Sequence, residues 1–185
     1  MKKVILSFVL ILLGTCAFAQ NQGGVALGVN IGVAPVVEDN TNITNFGVGA
    51  KLQYNITDPV RLEVAADYWF KSDGIDVFDA AVNAHYIVPI TNRIRFYPLL
   101  GVGYARVAYN YDSYFSEYKE IADGYGYGGS FSDITSGSIS RLLVNIGIGF
   151  EYSLTRSLSL GIDAKFQYIK DYSRMPLSLS LTHRF

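Results

Sequence analysis

Only one cysteine occurs in the 185 residues, Cys16, and it falls in a segment, 1–19, that reads as a secretory leader. Lys2 and Lys3 precede an apolar run from Val4 to Leu13, and small residues follow as far as Ala17-Phe18-Ala19. These are the charged, apolar and cleavable parts of a signal peptide. Cleavage after Ala19 would leave residues 20–185, a single-domain length with no thiol. A chain of that kind is not a disulfide framework, a thiol enzyme or a cysteine metal site. A rival assignment makes Cys16 the lipidated first residue of a lipoprotein. The preceding Leu13-Gly14-Thr15 fits it poorly, because Thr stands where Gly or Ala is expected.

Long apolar runs are missing as well. The leader's run falls short of the roughly 20 residues a spanning helix needs, and no later stretch reaches that length. A cationic surplus is also missing. Two of the 15 bases leave with the leader, so 13 stand against 16 acids, and a nucleic-acid partner is not expected. Asp and Glu are scattered without the spacing of a metal loop, so no metal and no cofactor are expected.

What the chain has is period-two alternation rich in Gly, Tyr and Phe (18, 14 and 11 residues). Eight runs carry it: Gly24–Ala34, Phe46–Ile56, Val60–Phe70, Phe78–Val88, Arg93–Tyr109, Arg141–Tyr152, Leu158–Tyr168 and Leu177–Phe185. In each, one face is aliphatic and aromatic, as in Val60, Leu62, Val64, Ala66, Tyr68 and Phe70. The other face holds small and polar residues. The spacing predicts an all-β fold, an eight-stranded antiparallel up-and-down transmembrane β-barrel, because 9–12 residues suit a tilted strand crossing a bilayer. Volume decides which face points inward. The interior of an eight-stranded barrel is nearly filled by side chains, and the large apolar set would overfill it. The polar face therefore lines the lumen, and aromatics near strand ends read as interfacial girdles. Pro98 cannot donate to a ladder, so a bulge is expected there, and Arg106 on the apolar parity points to a register shift beyond it.

The connections Thr57–Pro59, Pro89–Asn92 and Ser153–Ser157 read as tight turns. Pro35–Asn45, Lys71–Asp76, Asn110–Ser140 and Lys170–Pro176 read as the longer loops. Short turns belong to the periplasm and long loops to the outside, which puts both termini in the periplasm.

On these residues the chain resembles the small outer-membrane β-barrel proteins of Gram-negative bacteria, among them the transmembrane domain of OmpA and its porin-like relatives. The most specific piece is the last strand, Leu177, Leu179, Leu181 and Phe185, which the resemblance marks as the assembly signal read by the barrel-assembly machinery. An exposed strand with an aromatic end suits edge pairing with an assembly protein. The resemblance also implies outer-membrane lipid and lipopolysaccharide as surroundings. Two departures stand out. His183 occupies a place where the family often has an aromatic residue. The separate periplasmic peptidoglycan-binding domain of OmpA has no counterpart, so a cell-wall tether is not expected.

Catalytic signals are weak. His85 falls on the lumen parity and His183 on the lipid side, and neither has a Ser beside it on the same face, as the Ser–His–acid set of outer-membrane lipid deacylases would require. Ser116-Glu117-Tyr118-Lys119 matches S-x-x-K without its partner motifs. Gly101-Val102-Gly103 and Gly147-Ile148-Gly149 lack the third glycine and following helix of a phosphate loop. No catalytic residues are assigned, and the chain is read as a non-enzyme.

The lumen charges are the candidate site: Lys51, Arg61, Arg93, Arg95, Arg141, Lys165 and Arg184 against Glu63, Asp67, Asp79, Glu151 and Asp163, with His85 among them. Buried charges cost several kcal/mol each unless paired, so a plugging salt-bridge network is expected, with Glu151 pairing to Arg93 or Arg95. The alternative is a rearranging gate that makes the barrel a narrow channel for ions or small solutes. The segment Asn110–Ser140 sets seven aromatics among five acids and one base, Lys119, a charge of about −4. Tyrosine gives large contact area at low entropic cost, so the segment reads as an extracellular contact site. The competing reading is that the flanking strands simply extend above the membrane.

Overall fold

The computed structural model describes residues 23–37, 43–110 and 136–185. The leader and most of the long acidic segment, 111–135, lie outside the described residues. The described chain is all β: β1 Val25–Pro35, β2 Thr44–Asn55, β3 Val60–Ser72, β4 Ile75–Tyr86, β5 Val88–Pro89, β6 Ile94–Asn110, β7 Ser136–Ser153, β8 Leu158–Ile169 and β9 Leu177–Arg184. Every pairing is antiparallel, and contact of β4 with β6 closes the sheet into a barrel. The two-residue β5 continues the path of β4, so the barrel has eight staves.

Alternation dictates the closure. Strand β8 reads exposed at Leu160, Ile162, Ala164, Phe166 and Tyr168 and buried at Ser159, Gly161, Asp163, Lys165 and Gln167. Most of the large apolar side chains face outward, all round the barrel, and polar and small ones predominate inward. Aromatic rings gather at both ends of the outer wall. Phe46, Tyr68 and Phe70 pack at one end; Phe96 with Phe150 and His183 with Phe185 pack at the other.

Three tight turns and both ends of the described chain share one end of the barrel, called the turn end below. The turns repeat one pattern, aliphatic-Thr-x-x-aliphatic: Ile56 to Val60, Ile90 to Ile94 and Leu154 to Leu158. In each, the first two amides donate to the carbonyl of the fifth residue. In the second and third the Thr hydroxyl accepts from the amides two and three residues on, the local bond that makes Thr a turn former.

The opposite end, called the loop end, corrects several expectations. The connection expected over Lys71–Asp76 is a two-residue turn, with Asp73 at φ 47° and Gly74 at φ 84°. Two positive φ values define the hairpin turn whose twist matches its strands, and Asp-Gly is a preferred sequence for it. The bulge lies in β3 between Trp69 and Ser72, not at Pro98. Around Pro98 the pairing of β4 with β6 stops at His85↔Leu99 and resumes at Val88↔Phe96 in unchanged register. The missing donor interrupts the ladder without shifting it, while on the β3 side Ile87 donates to the Pro59 carbonyl at 2.7 Å in the register of the β3–β4 pairing. Arg106 consequently stays on the outward parity, exposed. A long aliphatic stem lets an outward Arg place its charge at the rim, so no register shift is required.

Two further connections are shorter than expected. Arg174↔Gln167 and Arg174↔Val36 continue the registers of β9 with β8 and β1 past Pro176, so 174–176 belong to the wall. Strand β7 begins at Ser136, inside the expected loop, and 136–142 pair with β6 but with no described residue of β8. There Ser138, Ile139 and Ser140 are all exposed, whatever their parity. At the loop end β7 therefore runs past its last described β8 partner, while β6 stays paired with β4 as far as Tyr109↔Ile75.

Candidate functional site: the barrel interior

Each stave sends every second side chain inward, and glycine sets the room available. Gly47 faces Trp69, Gly49 faces Asp67 and Gly101 faces Asn83 across adjacent strands, and a Cβ at any of them would overlap the facing side chain. Gly149 is wedged in the same way between Asp163 and the Tyr97 ring. Glycine here marks close approach, as expected of a crowded lumen.

At the turn end, Glu151 on β7 receives three guanidinium groups. Arg61 on β3 reaches Oε2 at 2.7 Å, while Arg95 on β6 and Arg184 on β9 converge on Oε1, the latter at 3.4 Å. Arg95 is the pairing expected from the adjacent strand. Arg61 crosses the lumen and stacks over the Tyr97 ring, 4.7 Å from its centroid. It also donates to His85 Nδ1 at 3.2 Å from Nε and 3.0 Å from Nη2. An Nδ1 that accepts places the ring proton on Nε2, which faces Glu63 Oε1 at 3.7 Å. His85 lies parallel to Tyr97, centroids 4.8 Å apart.

One layer deeper, Lys51 bridges Asp163 at 3.2 Å and Glu63 at 3.6 Å. Tyr97 donates to the other oxygen of Asp163, while Gln53 and Asn83 donate to Glu63 at 2.8 and 3.1 Å. Lys165 is buried where Asp67, Glu63, Asp163 and Asp79 act on its charge, and Asn30 donates to Asp67 at 2.6 Å. Deeper still, Asp79 receives Arg174 and the Trp69 indole N–H, the latter at 2.8 Å. Arg174 also donates to Gln167 at 2.6 Å and lies 4.8 Å over the Trp69 ring. Near the loop end Asn45 donates to the carbonyls of Phe70 and Ile75, both at 3.0 Å, satisfying backbone that the β3 bulge leaves off the ladder. Tyr172 donates to Asn45 at 2.9 Å.

The loop-end half then turns apolar. Ala34, Trp69, Val77, Ala81, Ala105, Leu143, Ile169 and Tyr172 pack into one buried cluster. Period two had pointed to a polar lumen throughout, and this half corrects it: inward parity carries Val77, Leu143 and Ile169.

Of the residues assigned to the network by sequence, Lys51, Arg61, Glu63, Asp67, Asp79, His85, Glu151, Asp163 and Lys165 are buried together, with Arg95 half-buried at their edge. Two lie elsewhere. Arg93 is exposed on the second turn, one residue before β6 begins. Arg141 sits at the loop-end rim, 3.8 Å from Asp171, both partly or largely in solvent. Leu177, Leu179, Leu181 and Phe185 face outward on β9. Sequence reading missed Tyr97, Trp69 and Arg174, although each lies on the inward parity of its strand. No group of three His, Cys, Asp or Glu among the described residues is arranged to hold a metal ion.

A closed eight-stave barrel, apolar outside and packed inside, is the form of a small outer-membrane barrel. The sequence matches the family described as outer membrane protein beta-barrel domain over residues 5–185, and the chain belongs to that family. Solved structures with the same fold include Ail, the attachment invasion locus protein of Yersinia pestis. It is 16% identical with a TM-score of 0.60, covering 89% of this chain and 99% of that one. Neisserial surface protein A is 12% identical with a TM-score of 0.67, covering 87% and 97%. The N-terminal β-barrel domain of Pseudomonas aeruginosa OprF is 16% identical with a TM-score of 0.57, covering 90% and 100%. No curated protein sequence matches the chain.

Proposed function

We propose that this outer-membrane protein is an interaction barrel, a filled membrane anchor that presents the β6–β7 hairpin outside the cell. One observation carries the reading: the interior is packed with side chains, while β7 extends from Leu142 up to Ser136 beyond its described β8 partners, exposed at Ser138 to Ser140. In this reading the leader 1–19 is cleaved and the turn end with both termini faces the periplasm. Segment 111–135 is then the contact surface. Its charge of about −4 suits a neutral or cationic partner. Ail has been seen with the heparin analogue sucrose octasulfate, and a polyanion of that kind would be repelled by this segment. Outward Arg106, beyond the aromatic Tyr104, would meet lipopolysaccharide phosphates at the rim. Exposed Phe185, at the end of β9, would be read by the barrel-assembly machinery during insertion. Catalysis is no part of the reading, because Arg61 occupies the His85 nitrogen a base would use. The channel alternative has less support, since the Arg174–Trp69 layer and the apolar cluster stand across the path.

The test is excision of Asp112 to Asp133, followed by a check that the barrel still inserts and a comparison of cell binding. Loss of binding by an inserted barrel supports the reading, and undiminished binding contradicts it.

A further inference from the structure

Charge is not evenly spread along the interior. At the mouth of the turn end three guanidinium groups, Arg61, Arg95 and Arg184, share one carboxylate, Glu151, a surplus of two positive charges. Deeper in, Lys51, Lys165 and Arg174 face Glu63, Asp67, Asp79 and Asp163, a deficit of one. The mouth surplus is therefore not an accident of a generally basic lumen. The turns around it add Arg93 and Arg156 against Asp58.

The surplus also opens onto space. A cavity of about 400 Å³ is lined by Pro89, Ile90, Thr91, Asn92, Arg95, Ser153 and Arg184. Arg61 and Glu151 are sealed beneath it, their side chains 3% and 5% exposed, whereas Arg95 and Arg184 are 20% and 31% exposed. Each of the open pair commits one terminal nitrogen to Glu151 Oε1, Arg95 also touching Ser153 Oγ at 3.3 Å. The rest of each planar fork remains for a second acceptor, and guanidinium forks match the oxygens of phosphate two at a time.

We propose that this mouth binds a doubly charged oxyanion, inorganic phosphate or a phosphate monoester, between Arg95 and Arg184. Such an anion neutralises the two surplus charges and occupies N–H groups that Glu151 leaves open. The site lies inside the wall at the turn end, away from the acidic segment at the other end, so its existence does not depend on what that segment contacts.

Ser153 allows a clean test. Ser153→Asp adds a carboxylate beside Arg95 without removing any cation, so it fills the site from within and leaves the existing ion pairs in place. Protein refolded in a phosphate-free glycoside detergent is titrated with inorganic phosphate at low ionic strength, by calorimetry and by phosphorus NMR line width. Saturable binding is expected for the parent and for Arg141→Gln, a rim cation at the far end. Binding about tenfold weaker or more is expected for Ser153→Asp and for Arg184→Gln. Folding of each variant is checked by heat-modifiable gel mobility. No saturable binding by the parent would overturn the proposal. So would equal affinity in the parent and a folded Ser153→Asp, or an equal loss in Arg141→Gln.

Discussion

Toward the turns the barrel interior is held by charge, and toward the loops by packing around Trp69, Leu143 and Tyr172 beside the buried ion pair of Arg174 with Asp79. Both halves use the same inward parity of the same eight staves. They differ in how many strands each side chain needs. Glu151 is held from β3, β6 and β9 at once, and Glu63 is met from β2 and β4. Leu143 fills volume and depends on no single partner. A buried ion network fails when one member leaves, because its partners stay buried and unpaired. A packed cluster can partly collapse around a truncation. The polar half therefore fixes register and closure, and the apolar half fills what remains.

Glu151→Ala should have the largest effect. It leaves three guanidinium groups facing one another, and the expected loss is about 3–5 kcal/mol in urea unfolding of the refolded barrel. A variant that unfolds like the parent would break the comparison at its strongest point. Leu143→Ala should cost about 2–4 kcal/mol by cavity formation. The neighbouring Leu142→Ala, at an outward side chain 79% exposed, should cost far less. Equal losses at the two positions would contradict the inward assignment of β7. Gly47→Ala pushes a methyl into the Trp69 ring and should cost about 1–3 kcal/mol by overpacking, read as a lowered midpoint. Arg141→Ala should change stability by under about 1 kcal/mol, because its pair with Asp171 is solvent-exposed. A larger loss would return Arg141 to the interior network.

Much of this was legible in the sequence, for a physical reason. The two faces of each strand differ in both size and polarity, so period two reports strands and facing together. Part of what escaped notice lies beside prolines, although Trp69 does not. Pro98 and Pro176 break the ladder but not the parity: the Pro176 carbonyl still accepts from the Lys165 amide at 2.9 Å. Carrying the count across both prolines places Tyr97 and Arg174 inward. Asp73-Gly74 is a local hairpin signal that makes the expected loop unnecessary. The partners of Glu151 were legible only in part. Arg95 lies on the adjacent strand and Arg184 reaches over β8, where Gly161 faces Glu151, but Arg61 meets Glu151 across the lumen, and only closure of the barrel brings it there. The apolar half was hidden because inward Val, Leu and Ile on a mostly polar face leave no periodic mark.

A lumen filled by a charge network and an apolar cluster should leave ions no passage. Planar-bilayer recording of the refolded protein tests it most directly. Silence is predicted across the full voltage range that the bilayer withstands, with insertion confirmed by heat-modifiable mobility of the recovered protein. Steady unitary conductance steps that scale with protein added would contradict it.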